Sequence, residues 1–122
     1  QHLDARSLMW NIRRKINRLE LPPHRCVIQF TLDEPHHETA NYWLIFKPGV
    51  EPDLCYSDPA FAVDLFIVSS LRALTSAWMG HTSFEAEIES GRIVLIGHPT
   101  LARTLTKWLI RSRYATLEKA LP

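Results

Sequence analysis

The sequence predicts an α+β domain: one five-stranded, mainly antiparallel sheet with helices packed on one face. Three observations carry this. A helical apolar stripe opens the chain. Period-two alternation begins a few residues after it. The elements then run helix, four strands, two helices, strand, helix, so strands gather early and helices late. The 122 residues suit a single domain, and 46% hydrophobic with 22% charged residues is an ordinary globular balance.

From Asp4 to Arg18, Ala5, Leu8, Met9, Ile12 and Ile16 recur at helical spacing, with Leu19 next. Asp4 suits the cap, and Leu21-Pro22-Pro23 stops the helix. Residues 25–32 alternate, with Cys26, Ile28, Phe30 and Leu32 on one side and Gln29 and Thr31 on the other. Residues 33–40 form a loop and residues 42–47 a second, aromatic-rich strand. After the Pro48-Gly49 turn, residues 53–57 make a short third strand that closes an antiparallel meander. Asp58-Pro59 breaks the chain, and residues 63–68 form the fourth strand.

Ser69 and Ser70 cap a helix carrying Leu71, Leu74, Ala77 and Trp78, which Gly80 ends. Thr82 with Glu85 three residues on reads as a capping box opening a short helix with Phe84 and Ile88, ended by Gly91. Residues 93–96 form the fifth strand. Pro99 suits the first turn of a last helix with Leu101, Leu105, Trp108 and Leu109 on one stripe. Residues 111–122 extend it with Tyr114, Leu117 and Leu121.

The net charge is +1, unevenly spread. Residues 1–20 carry Arg6, Arg13, Arg14, Lys15 and Arg18 against Asp4 and Glu20. Residues 103–122 carry Arg103, Lys107, Arg111, Arg113 and Lys119 against Glu118. The middle holds four basic residues (Arg25, Lys47, Arg72, Arg92) against ten acidic ones. Basic ends could meet nucleic acid, but solvated faces of amphipathic helices account for them more simply.

Nucleotide-binding glycine motifs, the nucleophile-elbow pattern and the H-E-x-x-H zinc motif are all missing from the sequence. His36 and His37 sit beside Glu34 and Glu38, but adjacent histidines in a loop rarely converge on a metal. His81 and His98 read as solvated turn residues. Asp64 reads as a solvent-facing or hydrogen-bonded edge residue rather than a buried acid. Cys26 and Cys55, without a C-x-x-C, suit buried thiols in a reducing cytoplasm. The expectation is therefore a cytoplasmic protein with no catalytic residues, no metal and no cofactor. No apolar run reaches the roughly 18 residues of a spanning helix, and no membrane insertion is expected.

Residues 62–80, A-V-D-L-F-I-V-S-S-L-R-A-L-T-S-A-W-M-G, followed by F-E-A-E-I-E-S-G-R-I-V-L-I-G-H-P-T-L, resemble the core signature of sterol-carrier-protein-like domains. A narrower likeness runs through M-W-N-I-R-R-K-I-N, L-P-P-H-R-C-V-I-Q-F, Y-W-L-I-F, D-L-C-Y-S-D-P and V-D-L-F-I-V. These stretches resemble the C-terminal domain of a subset of HxlR-type winged-helix transcriptional regulators. His98 departs from the Asp often found there in sterol-carrier domains, and residues 111–122 run past the usual end.

The resemblance implies a sheet under helices with a hydrophobic cavity between them. Residues 1–122 are then one domain, with residues 1–20 a basic linker helix toward a DNA-binding domain that this chain lacks. The implied function is an effector domain that binds an apolar small molecule or lipid. DNA would be met only through the missing domain, and a homodimer is compatible with this arrangement. The alternatives are a stand-alone lipid or sterol carrier and a ligand-free dimerisation module. The helical stripes place Leu71, Leu74, Trp78, Phe84, Ile88, Leu101, Leu105 and Trp108 around the expected cavity, roofed by the last helix.

Overall fold

The computed structural model describes residues 4–110. Helix α1 (Ala5–Lys15) starts where the Ser7 amide donates to Asp4 Oδ1 at 2.8 Å. It buries Ala5, Leu8, Met9 and Ile12, the i, i+3, i+4, i+7 stripe of the sequence. The helix stops earlier than its apolar spacing predicts. The Asn17 side chain accepts the Leu19 amide and caps a separate 3-10 turn, Arg18–Glu20. A short amide side chain competes with the helical backbone in this way.

Strands β1 (Cys26–Asp33), β2 (Ala40–Phe46) and β3 (Asp53–Cys55) form the expected antiparallel meander. β4 (Leu65–Ser70) lies parallel to β1, and β5 (Ile93–Gly97) runs antiparallel to β4. The order is β3-β2-β1-β4-β5, a mixed sheet with only its central pairing parallel. The chain reaches that parallel position by crossing the outer face of the sheet between β3 and β4. There Phe61 and Val63 pack on Val27, Trp43 and Ile45. The Arg25 guanidinium lies 4.2 Å from the centre of the Phe61 ring. This second, smaller apolar patch was not legible in the alternation of β1 and β2.

Helices α2 (Leu71–Trp78) and α3 (Phe84–Glu89) connect β4 to β5. Ser70 caps α2 by accepting the Ala73 amide at 3.0 Å. The predicted capping box at Thr82 is corrected: Ser83 caps α3, accepting the Ala86 amide at 3.0 Å. Thr82 instead donates to Glu87 Oε2 at 3.0 Å. The predicted last helix breaks at Thr104 into α4 (Pro99–Arg103) and α5 (Leu105–Trp108), because the Thr104 hydroxyl donates back to the Thr100 carbonyl at 2.8 Å. Its expected extension through Tyr114, Leu117 and Leu121 lies outside the described residues.

Asp64 is hydrogen-bonded, as one of its expected readings had it, but it precedes an interior strand rather than an edge. Its amide donates to the Val27 carbonyl at 2.8 Å, and its Oδ2 accepts the Val27 amide at 2.8 Å. Its carbonyl accepts the His98 amide at 2.8 Å. The strand therefore begins at Leu65, two residues later than the sequence predicts, and runs on to Ser70. The main core lies between the sheet and the helices, from Leu8, Met9 and Ile12 through Ile28, Phe30, Leu44, Leu65 and Ile67 to Leu74, Phe84 and Trp108.

Gly97 closes β5 at φ +130°, and a Cβ there would lie 2.5 Å from the Asp64 carbonyl oxygen. Both the positive φ and the contact with backbone oppose a side chain. Gly97→Ala is expected to lower unfolding free energy by about 2–3 kcal/mol, read as a reduced urea midpoint. An unchanged midpoint would mean that the β4–β5 junction moves freely.

Candidate functional site: an open groove beside the apolar cluster

α3 and the α4–α5 pair stand apart along one side of the helical layer and leave an open groove of about 440 Å³. Glu85, Ile88 and Glu89 line one wall; Ala102, Arg103, Leu105 and Thr106 line the other. The volume is within the roughly 300–1,000 Å³ range of small-molecule sites. Carboxylates stand on one rim and a guanidinium on the other, while Ile88 and Leu105 provide apolar floor.

Each wall has a polar brace. On the α3 side, Glu87 is buried and receives Arg92 Nε at 2.7 Å, Arg92 Nη2 at 3.1 Å and the Thr82 hydroxyl at 3.0 Å. Arg92 immediately precedes β5, so the pair fixes α3 against the sheet. The hydrogen bond from Arg92 holds the Glu87 carboxyl below its ordinary value, against the opposing effect of burial and with help from Thr82. On the α4 side, the bond from the His98 amide to Asp64 sets the helix start, and His98 Nδ1 accepts the Leu101 amide at 3.4 Å.

All eight residues expected from the helical stripes meet in one apolar layer. Leu71, Leu74 and Trp78 of α2, Phe84 of α3, Leu101 of α4, and Leu105 and Trp108 of α5 are buried in it. Ile88 packs against it from the half-exposed rim. Of the eight, only Ile88 and Leu105 line the groove; the other six are buried in the core beside it rather than around a cavity. The polar lining residues Glu85, Glu89, Arg103 and Thr106 were missed, because charged residues on an exposed helical face are usually only solvated. The spacing of Glu85, Ile88 and Glu89 at i, i+3 and i+4 was the available signal that they share a face.

Reactive groups elsewhere are quiet. Cys26 is buried, and burial first, then the nearby Asp64 charge, push its thiol up to about 12. At neutral pH it is a protonated, apolar core group. Cys55 is half-buried rather than fully buried, and free. Among the described residues, no group of three or more His, Cys, Asp or Glu side chains could hold a metal ion. No helix among them is long and apolar enough to cross a membrane.

The fold has counterparts among solved structures. Sterol carrier protein 2 from Yarrowia lipolytica, in its apo form, superposes with a TM-score of 0.53 at 15% identity, over 78% of this chain and 75% of its own. Palmitated sterol carrier protein 2-like 2 from Aedes aegypti gives 0.62 at 14% identity, over 86% of this chain and 93% of its own. The sec-alkylsulfatase Pisa1 from a Pseudomonas species gives 0.64 at 14% identity; 90% of this chain matches only 17% of that enzyme. These likenesses establish the sterol-carrier-type fold. No protein-family model matches the sequence, and no curated protein does.

The Glu87 brace sets a pH dependence. A carboxyl with a lowered folded-state pKa stabilises the protein fully above its unfolded value, and that contribution is lost as pH falls through the folded value. Glu87→Gln is expected to cost about 1–3 kcal/mol at pH 7. Its deficit against the natural protein should shrink below the ordinary carboxyl value of 4.5. Urea titrations of both proteins from pH 7 to pH 3 measure this; a deficit that stays constant with pH would remove the ionised brace.

Proposed function

We propose that this domain binds an apolar, lipid-like molecule through the groove between α3 and the α4–α5 pair of its helical layer, and works as a lipid carrier rather than as an enzyme. The observation that carries the reading is the open groove whose Ile88 and Leu105 floor borders the buried cluster of α2, α4 and α5. A molecule entering between α3 and α5 would leave water for apolar surface at about 25 cal/mol per Å². Fold likeness to a sterol carrier protein solved with palmitate supports the same reading. The carrier assignment also suits the quiet chemistry of Cys26 and the engagement of Glu87 and Asp64 in structural bonds.

The sensor domain of an HxlR-type regulator is the second reading. It rests on the sequence resemblance and on the basic last turn of α1, Arg13, Arg14 and Lys15. Part of that charge has structural work: Arg13 donates to the Pro52 carbonyl at 2.7 Å. None of the solved structures named above is a regulator. A winged helix encoded directly upstream would favour the sensor, and its absence from the gene would favour the carrier.

Ligand binding to the folded state alone stabilises it by mass action, about 2.7 kcal/mol at a hundredfold excess over the dissociation constant. Long-chain fatty acids, alcohols and sterols are expected to include at least one class that raises the melting temperature. Leu105→Trp, which fills the groove floor, should abolish that rise with little loss of basal stability. No rise with any class, together with a basal loss of about 1–3 kcal/mol in the variant, would mean that Leu105 is close-packed core and the carrier reading is wrong.

A further inference from the structure

The two edges of the sheet are protected unequally. β3 is three residues long, follows Pro52 and opens on the exposed carboxylate of Asp53. Shortness, proline and charge are how proteins keep an edge from pairing with another chain. β5 has none of these: it reads Ile93-Val94-Leu95-Ile96-Gly97, with no charge or proline inside it. Its outer-face side chains are apolar and open to solvent, Val94 at 41% and Ile96 at 54%. The β4–β5 register sets the exposed Val68 beside Val94 and the half-buried Phe66 beside Ile96, so the patch continues inward from the edge. The backbone of β5 is open on that side too. The His98 amide bonds to the Asp64 carbonyl directly opposite it. Alternate residues of a strand turn their N–H and C=O to opposite sides. Val94 and Ile96 therefore bond toward β4, while Ile93, Leu95 and Gly97 turn theirs to the edge. Among the described residues no other strand pairs with them.

We propose that β5 pairs antiparallel with β5 of a second copy of this chain, about a two-fold axis at Leu95, and so joins two sheets into one. The strand is self-complementary in this register. Leu95 lies opposite its own counterpart, and their edge-facing N–H and C=O groups hydrogen-bond to each other. On the outer face Val94 lies opposite Ile96 of the second copy, and Ile96 opposite its Val94. Pairs of β-branched side chains in this position are the contacts that stabilise a sheet. The charges agree as well. α3 leads into the start of β5 and α4 leaves its end, and both pack on it. Antiparallel pairing therefore sets α3 of one copy toward α4 of the other. α3 carries the exposed carboxylates Glu85 and Glu89, and α4 the exposed guanidinium Arg103. The two-fold pairing uses up both free edges and adds no third copy. A contact built on one short strand is at the small end of specific interfaces, so the dimer dissociates on the order of 100 µM.

Sedimentation equilibrium from about 10 µM to about 1 mM reads the mass, and amide exchange at Leu95, followed by NMR over the same range, reads the geometry. The mass should rise from 14.1 kDa and level off at twice that value. The Leu95 amide should exchange several-fold more slowly at the highest concentration than at the lowest, because edge pairing covers it. Ile96→Lys puts a charge on an already exposed side chain. It should stay monomeric throughout, with the melting temperature of the dilute natural protein. Val94→Lys keeps the test decisive if Ile96→Lys folds poorly. A natural protein that stays monomeric to about 1 mM overturns the proposal and leaves this edge to a strand of some other protein. Association that survives in both lysine variants overturns it too. A mass that climbs past two copies without levelling contradicts the closed two-fold pair. A dimer whose Leu95 amide exchanges at the same rate as the monomer's overturns edge pairing in favour of stacked outer faces.

Discussion

The position of Asp64 is the constraint on which the rest of the architecture depends. The central β1–β4 pairing is parallel, so the chain must arrive beside β1 from outside the sheet and begin pairing abruptly. Asp64 makes that start possible. Its amide binds the Val27 carbonyl and its carboxylate takes the Val27 amide. The side chain thus supplies an acceptor before β4 itself has begun. Its carbonyl then takes the His98 amide, which joins the start of β4 to the end of β5 and the first turn of α4. Gly97 is required beside it because a side chain would collide with that same carbonyl. One residue thereby ties the start of β4 to β1 and to the end of β5, where one wall of the groove begins.

The opposite wall depends on a different kind of interaction. Glu87 is a buried carboxylate satisfied by Arg92 and Thr82, and it ties α3 to the residue that opens β5. Arg92 itself is largely exposed, so the pair adds little net stability, but it satisfies the buried carboxylate and fixes geometry. The two walls are thus held to neighbouring strands by polar contacts at their ends. The space between them is edged by Ile88 and Leu105, which meet the apolar layer. A groove built this way can admit an apolar guest without disturbing the bonds that hold its sides.

Much of this was legible in the sequence. The stripe of Leu8, Met9 and Ile12, the alternation of Cys26, Ile28, Phe30 and Leu32, and the caps at Asp4 and Ser70 each follow from local periodicity and side-chain chemistry, and all recur in the structure. The eight apolar helical residues converge because stripes facing one sheet have nowhere else to bury. What was not legible depends on long-range pairing. Alternation reports that residues 63–68 form a strand, but not that the strand lies parallel to β1 or that Phe61 and Val63 cover the other face. Thr82 fits a capping box by spacing, yet Glu87 draws its hydroxyl away.

The central claim is that the helical layer opens onto a guest site rather than closing on a solid core. The most direct measurement is a crystal structure of the protein grown with a saturating long-chain alcohol. The account predicts elongated density entering the groove between Ile88 and Leu105 and running into the apolar layer. A water-filled groove above helices packed densely on the sheet, with no alcohol within the layer, would contradict it.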